Sequence, residues 1–269
     1  MWYGVTMFKI THFKARMFQE CPRKFFYEYV AKRREIKKTR PYLAFGEILH
    51  NVLRDFFRFG SGKRNEESIK ALLNDYWRYY SNRATGLADE KEMRQYYERA
   101  VKILEDFIKT QDLQVQPVLT ETSLEMPLEK DLVLLGKVDR ADQEPDGTLS
   151  VLDYRTGKYR AEYAETDQLH LMTDALLVQY LLNKKVSKTA CLYLEQNQLI
   201  QATPTPDRLD LTKAAYQQTH KDIQRSEKKR TYPAHPGDFC PSCDYLPICK
   251  EAQAVGYKTG KAEEAREEM

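Results

Sequence analysis

Two aspartates in a predicted β-hairpin are the residues of this sequence best placed to do chemistry. Leu134 to Lys158 reads LLGKVDRADQEPDGTLSVLDYRTGK, and its Asp-Gly pair at 146–147 between apolar runs is typical of a hairpin turn. Residues whose numbers sum to 292 or 293 then face each other, so Asp139 and Asp153 share one side of the hairpin, with Cβ atoms about 5 Å apart. Two carboxylates at that distance repel by roughly 3 kcal/mol at an effective dielectric constant of about 20. The hairpin therefore predicts a positive charge between them.

That positive charge has two possible sources. A hard divalent cation such as Mg²⁺ or Mn²⁺ prefers carboxylate oxygens and would make the aspartate pair a metal site. Alternatively, Arg140 and Arg155 pair with the acids in a salt-bridged strand end. Arg155 stands two residues after Asp153 and therefore emerges on the same face of the strand. The spacing of the residues leaves both interpretations open.

The cysteines form a second candidate site. The sequence has 5 cysteines, and three of them spell C-x2-C-x5-C in CPSCDYLPIC, at Cys240, Cys243 and Cys249. One such pattern indicates a metal without proving it, and Cys21, about 220 residues earlier, is the candidate fourth ligand. Four thiolates suit a metal such as zinc, and four reduced thiols without metal are the alternative. Cys191, in the apolar run ACLYLE, is predicted to be part of the core.

The elements that must position these residues follow from hydrophobic periodicity and turn signals. Helices are predicted over 11–30 with a break at Pro22, and over 45–59, 66–82, 89–112, 168–182 and 209–224. Strands are predicted over 118–126, 132–138, 149–154, 189–195 and 199–203, and the tail KAEEAREEM is predicted to be a frayed helix. The order predicts an α/β protein that forms one integrated domain. Its parts are a helical region (1–113), a β-rich core with an inserted helix (114–230) and a cysteine cluster with a tail (231–269).

The composition is that of a folded protein with a mild positive charge. Hydrophobic residues make up 42% of the 269 residues and aromatic residues 12%, which excludes a disordered chain. A net charge of +3 identifies no partner, but the run KRREIKKTR at 32–40 is basic enough to contact nucleic acid or to form a solvated face. The sequence shows no signal peptide and no apolar run of about 18 residues. We therefore expect a cytoplasmic protein without a membrane partner, whose thiols stay reduced.

The hairpin resembles the core of the PD-(D/E)xK nuclease superfamily, in its RecB-like branch. The family pattern there is a glycine, an Asp-Arg pair, a turn and then Asp-Tyr-Lys-Thr-Gly, and GKVDRADQEPDGTLSVLDYRTGK follows it except at the lysine. FGEILH is similar to the family segment in which a glycine precedes a metal-binding histidine, and DQLHL to the one in which a glutamine opens a helix. Together with ECPRKFFYEYV and the closing cysteines, the resemblance covers most of the chain outside 65–112. It implies a restriction-endonuclease-like core, in which helices flank a mixed central sheet, with an N-terminal helical region and a C-terminal iron–sulfur patch.

The resemblance also implies a set of site residues. His50, Asp139 and Asp153 would bind Mg²⁺ or Mn²⁺ together with the carbonyl of Tyr154, and Gln168 would orient the active site or its DNA strand. Taken without the resemblance, His50 lies at the edge of an apolar helix stripe and is more readily explained as a structural histidine.

Two positions depart from the family pattern. Arg155 stands where the family has its catalytic lysine, and Met172 stands where a tyrosine usually follows the glutamine. A guanidinium can neutralise charge on a phosphate, but its pKa above about 12 makes it a poor proton acceptor. Lys158, beyond a flexible glycine, is a candidate replacement for the lysine. The sequence thus leaves open an active enzyme and a homologue that binds DNA without cutting it.

The function that the resemblance implies is a DNA exonuclease in repair, recombination or spacer acquisition. Relatives with this cysteine arrangement hold a 4Fe–4S cluster and act mainly on single-stranded or unwound DNA ends. Single-stranded DNA is therefore the expected partner, with a helicase or CRISPR adaptation proteins as candidate protein partners. The alternative is a catalytically impaired homologue that acts as a DNA-binding or scaffold subunit.

Overall fold

The structure, a computed structural model, describes residues 7–81, 86, 89–161 and 164–258. The chain divides into two compact units, each assembled from separated segments. The first unit consists of Met1–Lys38, Pro127–Leu135 and Asp210–Met269, and the second of Thr39–Met126 and Gly136–Leu209. The candidate cysteine ligands belong to the first unit and the hairpin aspartates to the second.

The second unit is built around a mixed β-sheet. Its strands are β2 (Pro117–Glu129), β3 (Leu132–Gln143), β4 (Leu149–Arg155), β5 (Val186–Tyr193) and β6 (Gln198–Ala202), and β2 and β3 also contribute residues to the first unit. The pairing of β3 with β4 and of β5 with β6 is antiparallel, that of β4 with β5 is parallel, and β2 pairs with β3. Arg140 pairs with Leu152 and Gln143 with Leu149, which is the register predicted for the hairpin.

Helices flank this sheet. α3 (Pro41–Arg58), α4 (Glu66–Ser81) and α5 (Glu90–Thr110) share a hydrophobic core with Tyr154 of β4 and Leu192 of β5. α6 (Ala164–Leu182), which is apolar on most sides, packs against β4 and β5. The approach of α6 explains the motif glycine, since a Cβ on Gly136 would lie 2.3 Å from Cδ1 of Leu177.

The first unit joins the two ends of the chain. β1 (Phe8–Thr11) pairs in parallel with the start of β3, and Thr11 caps α1 (His12–Glu20) by accepting a 3.0 Å hydrogen bond from the Lys14 amide. Pro22 interrupts the helix as predicted, so that α2 (Pro22–Phe25) and a π-helical turn (Phe26–Val30) follow. The unit is completed by most of α7 (Pro206–Lys229) and by α8 (Lys250–Ala254).

The predicted α/β class with helices around a mixed sheet is confirmed. β1 was not predicted, because a four-residue strand carries too little periodicity to stand out. The tail KAEEAREEM lies outside the described residues, and the domain boundaries at 113 and 230 stay predictions. Among the helices that the structure describes, none has the length and hydropathy to cross a membrane.

Candidate active site and candidate metal centre

The hairpin brings the two aspartates together in a buried setting. Continuing the register by one residue from Arg140–Leu152 places Asp139 beside Asp153, and the residues are 7% and 5% exposed. Oδ2 of Asp139 accepts a 2.7 Å hydrogen bond from the Tyr154 amide, which fixes the Asp139 carboxylate against β4. Two ionised acids buried side by side need positive partners.

On the Asp139 side, the partner is His50 of α3. Nδ1 of His50 lies 3.4 Å from Oδ1 of Asp139 and 2.7 Å from Oε1 of Glu121. His50, Glu121 and Asp139 each offer a ligand atom, and these three atoms lie within 4.8 Å of one another. One imidazole and two carboxylates form a donor set that suits Mn²⁺, Mg²⁺ or Zn²⁺.

Glu121 is a member of this group that sequence reasoning missed. Its side chain is 2% exposed, and its backbone has φ of 47° within β2, a conformation rare for residues other than glycine. A residue held in this conformation distorts the strand locally and re-aims its side chain. Glutamates are frequent in strands that face solvent, so nothing in the sequence distinguished Glu121 from the other polar residues of TETSLE.

On the Asp153 side, the partner is Arg155. Nε of Arg155 lies 2.5 Å from Oδ2 of Asp153, and its guanidinium also reaches Asp167 at 3.8 Å and contacts His170. Arg140 turns away from the aspartate pair and bonds to Asp142 at 2.9 Å and to the Tyr154 hydroxyl at 2.8 Å. The arginine pairing considered from the sequence therefore occurs at Asp153 through Arg155, and Asp139 faces a histidine.

A second group of ligand atoms was also missed. Asp153, His170 and Asp174 offer atoms within 4.8 Å of one another, with His170 and Asp174 one turn apart on α6. Asp174 is 1% exposed, and its Oδ1 has no hydrogen-bond partner among the described residues. Such an orphaned buried oxygen fits a site that binds a cation. The apolar run of α6 hid His170 and Asp174, since it reads as a core helix.

The electrostatics of the site reflect burial and these pairings. Burial raises the pKa of Asp139 to about 6, with His50 opposing the rise and Asp153 adding to it. Burial lowers the pKa of His50, but the carboxylates of Asp139 and Glu121 outweigh burial and raise it to about 10. At Asp153, burial raises the pKa, but Arg155 and His170 outweigh it and hold the pKa below its ordinary value. The metal-free site thus keeps His50 protonated at neutral pH.

This protonation predicts a pH-dependent metal affinity. A histidine must be neutral to bind a metal, so a cation that binds through His50 must displace its proton. Because the pKa of His50 is about 10, we expect the affinity for Mn²⁺ to rise about tenfold per pH unit between pH 7 and 8.5. Isothermal titration calorimetry in buffers of different ionisation enthalpy would show about one proton released per Mn²⁺ bound. The His50→Asn variant should lack this proton release, and a pH-independent affinity in the wild type would contradict the role of His50.

The other predicted site residues lie near this cluster or at its margin. Tyr154 is buried and adjoins Asp153 in β4. Gln168, on the exposed side of the first turns of α6, accepts a 3.0 Å hydrogen bond from Arg208. Lys158 is exposed in the loop after β4, and Met172 is buried at the tyrosine position of the family pattern. The metal-ligand role of the Tyr154 carbonyl and the catalytic roles of Gln168 and Lys158 stay predictions.

The four candidate cysteine ligands lie together in the first unit. Cys21, Cys240, Cys243 and Cys249 line one pocket, and the backbone amides of His235 and Gly237 donate to the sulfurs of Cys21 and Cys240 at 3.4 and 3.3 Å. Burial raises the pKa of the Cys243 and Cys249 thiols. The fifth, Cys191, is fully buried in β5 of the other unit, in accordance with its predicted place in the core.

Comparison with known proteins identifies the superfamily of this chain. The family model of the PD-(D/E)XK nuclease superfamily matches residues 9–250, and the chain belongs to this superfamily. The fold is similar to the crystal structure of a "Putative exonuclease" from Eubacterium rectale, with a TM-score of 0.58 and 9% identity over 94% of this chain and 90% of that one. A second structure, SSO0001, is 12% identical over 90% of this chain and 85% of that one, with a TM-score of 0.44. Among curated protein sequences, none matches this chain.

Proposed function

We propose that this protein is a divalent-metal-dependent DNA nuclease that degrades single-stranded or unwound DNA from its ends. The observation that carries the proposal is the meeting of His50, Glu121 and Asp139 with Asp153 at the end of the hairpin. The exonuclease mode is that named for the E. rectale protein, whose fold is similar. The RecB-like branch is supported by the order of the motifs along the chain.

In this proposal, the residues of the site have different roles in phosphodiester hydrolysis. His50, Glu121, Asp139 and Asp153 would hold one or two Mg²⁺ or Mn²⁺ ions. When bound, such an ion polarises the phosphate and lowers the pKa of its water. The burial of the carboxylates keeps the local dielectric low, so each charge acts more strongly on the phosphate than it would in water.

Arg155 supplies positive charge and does not accept a proton. Burial lowers the pKa of Arg155, but Asp153 outweighs burial and raises it, so the guanidinium stays charged at any working pH. Its side chain is 31% exposed, so part of it is accessible to a substrate phosphate. A guanidinium in this position can donate to phosphate oxygens and stabilise the negative charge that develops in the transition state.

A nuclease assay tests the proposal directly. Purified protein with Mn²⁺ or Mg²⁺ and end-labelled single-stranded DNA should release short fragments, and a chelator should stop the reaction. A duplex with blunt ends and an RNA of the same sequence serve as comparison substrates. If neither DNA nor RNA is cut with either metal, the nuclease proposal is wrong for the protein as it stands.

Substitutions of Arg155 distinguish an active nuclease from a catalytically impaired homologue. We expect Arg155→Ala to slow cleavage by about 10²-fold or more, since it removes a charge-stabilising donor and leaves Asp153 without its partner. Arg155→Lys should cleave at the wild-type rate or faster, because lysine keeps the positive charge and is the residue that the family pattern has at this position. Single-turnover rates at saturating Mn²⁺ measure both effects. Cleavage by Arg155→Lys but not by the wild type would instead support the alternative, a DNA-binding or scaffold subunit.

We further propose that the four cysteines hold a 4Fe–4S cluster. Their convergence on one pocket from the two ends of the chain provides the four thiolates that a cluster requires, and zinc is the alternative occupant. The cluster would link the segment around Cys21 to the segment 240–249, both of which belong to the first unit. In the unbound state the raised pKa values of Cys243 and Cys249 mean that metal binding must release their protons.

A further inference from the structure

A cavity rich in tyrosines opens beside the candidate active site. It has a volume of about 340 Å³, lies within the second unit and is lined by Asn51, Arg54, Asp75, Tyr76, Tyr79 and Tyr80. Its walls are α3, which carries His50, and α4. A cavity of this size falls within the range of small-ligand sites, and the proposed hydrolysis leaves these tyrosines without a role.

The cavity begins about one helical turn from the candidate metal ligands. Asn51 directly follows His50 in α3. Arg54 is four residues after His50 and therefore lies on nearly the same face of the helix as His50. Electrostatic interaction connects Arg54 with Glu121, and a side-chain hydrogen bond connects Tyr80 with Glu47 of α3. A strand whose phosphate lies at His50 and Asp139 therefore has an adjacent nucleotide within reach of the cavity.

Hydrogen bonds hold the walls of the cavity in place. The Tyr76 hydroxyl donates to Asp55 and accepts a 2.5 Å bond from Arg54, which also forms a forked pair with Asp55 at 2.8 and 2.9 Å. The Tyr80 hydroxyl accepts a 3.2 Å bond from the Asn51 amide. Rings fixed in this way form a binding surface with little conformational entropy left to lose.

Tyr79 presents an accessible aromatic ring at this cavity. Its residue is 50% exposed, whereas Tyr80 is only 8% exposed and belongs to the hydrophobic core. The two rings meet edge to face, with centroids 5.2 Å apart and an interplanar angle of 76°. This arrangement steadies Tyr79 without covering it.

The charges of the cavity favour a base over a phosphate. Arg54 is paired with Asp55, and the second acid, Asp75, lies in the lining and is paired with Arg78 at 2.8 Å. A site whose cations are already paired with carboxylates offers little attraction to the negatively charged phosphodiester of a DNA strand. Aromatic faces with a few amide and carboxylate groups instead suit a nucleobase, which stacks without regard to sequence.

We infer that this cavity binds a nucleobase of the single-stranded substrate next to the scissile phosphate, with Tyr79 as its stacking partner and Tyr76 as its rigid wall. The inference rests on the proposed nuclease function and names the part of the substrate that this surface recognises. Stacking would hold the strand end in register with the metal ligands while the phosphate is cut.

The test measures the binding of DNA in the absence of cleavage. The full chain is titrated in Ca²⁺ against a fluorescently labelled 12-nucleotide single strand, and fluorescence anisotropy gives Kd. We expect Tyr79→Ala to weaken binding about tenfold or more and Tyr79→Phe to restore it, since the ring does the stacking. Tyr180→Ala removes a tyrosine of matched exposure, 53%, from α6 and should leave Kd unchanged.

Abasic substrates locate the base. In the wild type, an abasic residue at one position near the cut site should weaken binding by about the same factor as Tyr79→Ala, and the two changes together should weaken it no further. One result would overturn this inference alone: the wild type binds and cuts DNA, and Tyr79→Ala has the same Kd and loses the same affinity on abasic DNA as the wild type does. Wild-type protein that neither binds nor cuts DNA would overturn the nuclease proposal as well.

Discussion

Replacing Asp153 by alanine is expected to abolish cleavage of single-stranded DNA in Mg²⁺ or Mn²⁺, with a rate loss of at least about 10³-fold. Asp153 is the residue that joins the two sides of the site. It lies beside Asp139 across the hairpin and also shares a ligand group with His170 and Asp174. Losing it removes several kcal/mol of metal-mediated stabilisation of the transition state, and each 1.4 kcal/mol corresponds to a factor of ten in rate.

The design of this experiment must separate catalysis from folding. Asp153 is 5% exposed and pairs with Arg155 at 2.5 Å, so its removal takes away the carboxylate nearest to a largely buried guanidinium. Asp153→Asn keeps the volume of the side chain and should be equally inactive, and circular dichroism with thermal melts would verify that it is folded. Asp146→Asn alters an exposed aspartate at the turn of the same hairpin and should cleave like the wild type. Asp153→Asn protein that is folded and still cuts DNA at the wild-type rate would refute the metal-ligand role.

Loss of the cysteine cluster is expected to have the largest effect on stability. Protein purified without oxygen should be brown, absorb near 400 nm and contain about four iron atoms per chain, as a 4Fe–4S cluster requires. Cys240→Ser should lose the absorbance and lower the free energy of unfolding by about 5 kcal/mol, because the link between Cys21 and Cys240 closes a loop of about 220 residues. For a chain of this size that corresponds to a decrease in Tm of about 10–20 °C.

The fifth cysteine provides the matched control. Cys191 is buried, as Cys240 is, but lies in β5 of the second unit, so Cys191→Ser should keep the iron content and the absorbance. A colourless protein with about one zinc per chain, lost in Cys240→Ser, would identify zinc as the occupant. Equal metal content in Cys240→Ser and the wild type would show that Cys240 is not a metal ligand, and wild-type protein without iron or zinc would refute the metal site.

The local sequence was sufficient to predict the hairpin and its aspartate pair. The Asp-Gly turn and the alternation of apolar residues determine the register, so the opposition of Asp139 and Asp153 follows from the sum of their residue numbers. The meeting of the four cysteines was predicted from spacing and family resemblance, and the structure places them around one pocket. For the hairpin the information lies in one short segment whose geometry is nearly independent of the rest of the fold. The meeting of Cys21 with the later cysteines is a long-range contact, and it was expected from the family resemblance.

Only the tertiary structure identified the partners that complete the site. Glu121 reaches His50 because β2 adopts a left-handed conformation at that residue, and His170 and Asp174 reach Asp153 because α6 packs against β4 and β5. None of these contacts has a local signature, since strand glutamates are common on surfaces and α6 has the pattern of a core helix. A sequence determines short-range geometry through backbone preferences, whereas the contacts between distant segments depend on how whole elements pack. The charged partners of the hairpin therefore became visible only once β2 and α6 were placed around it.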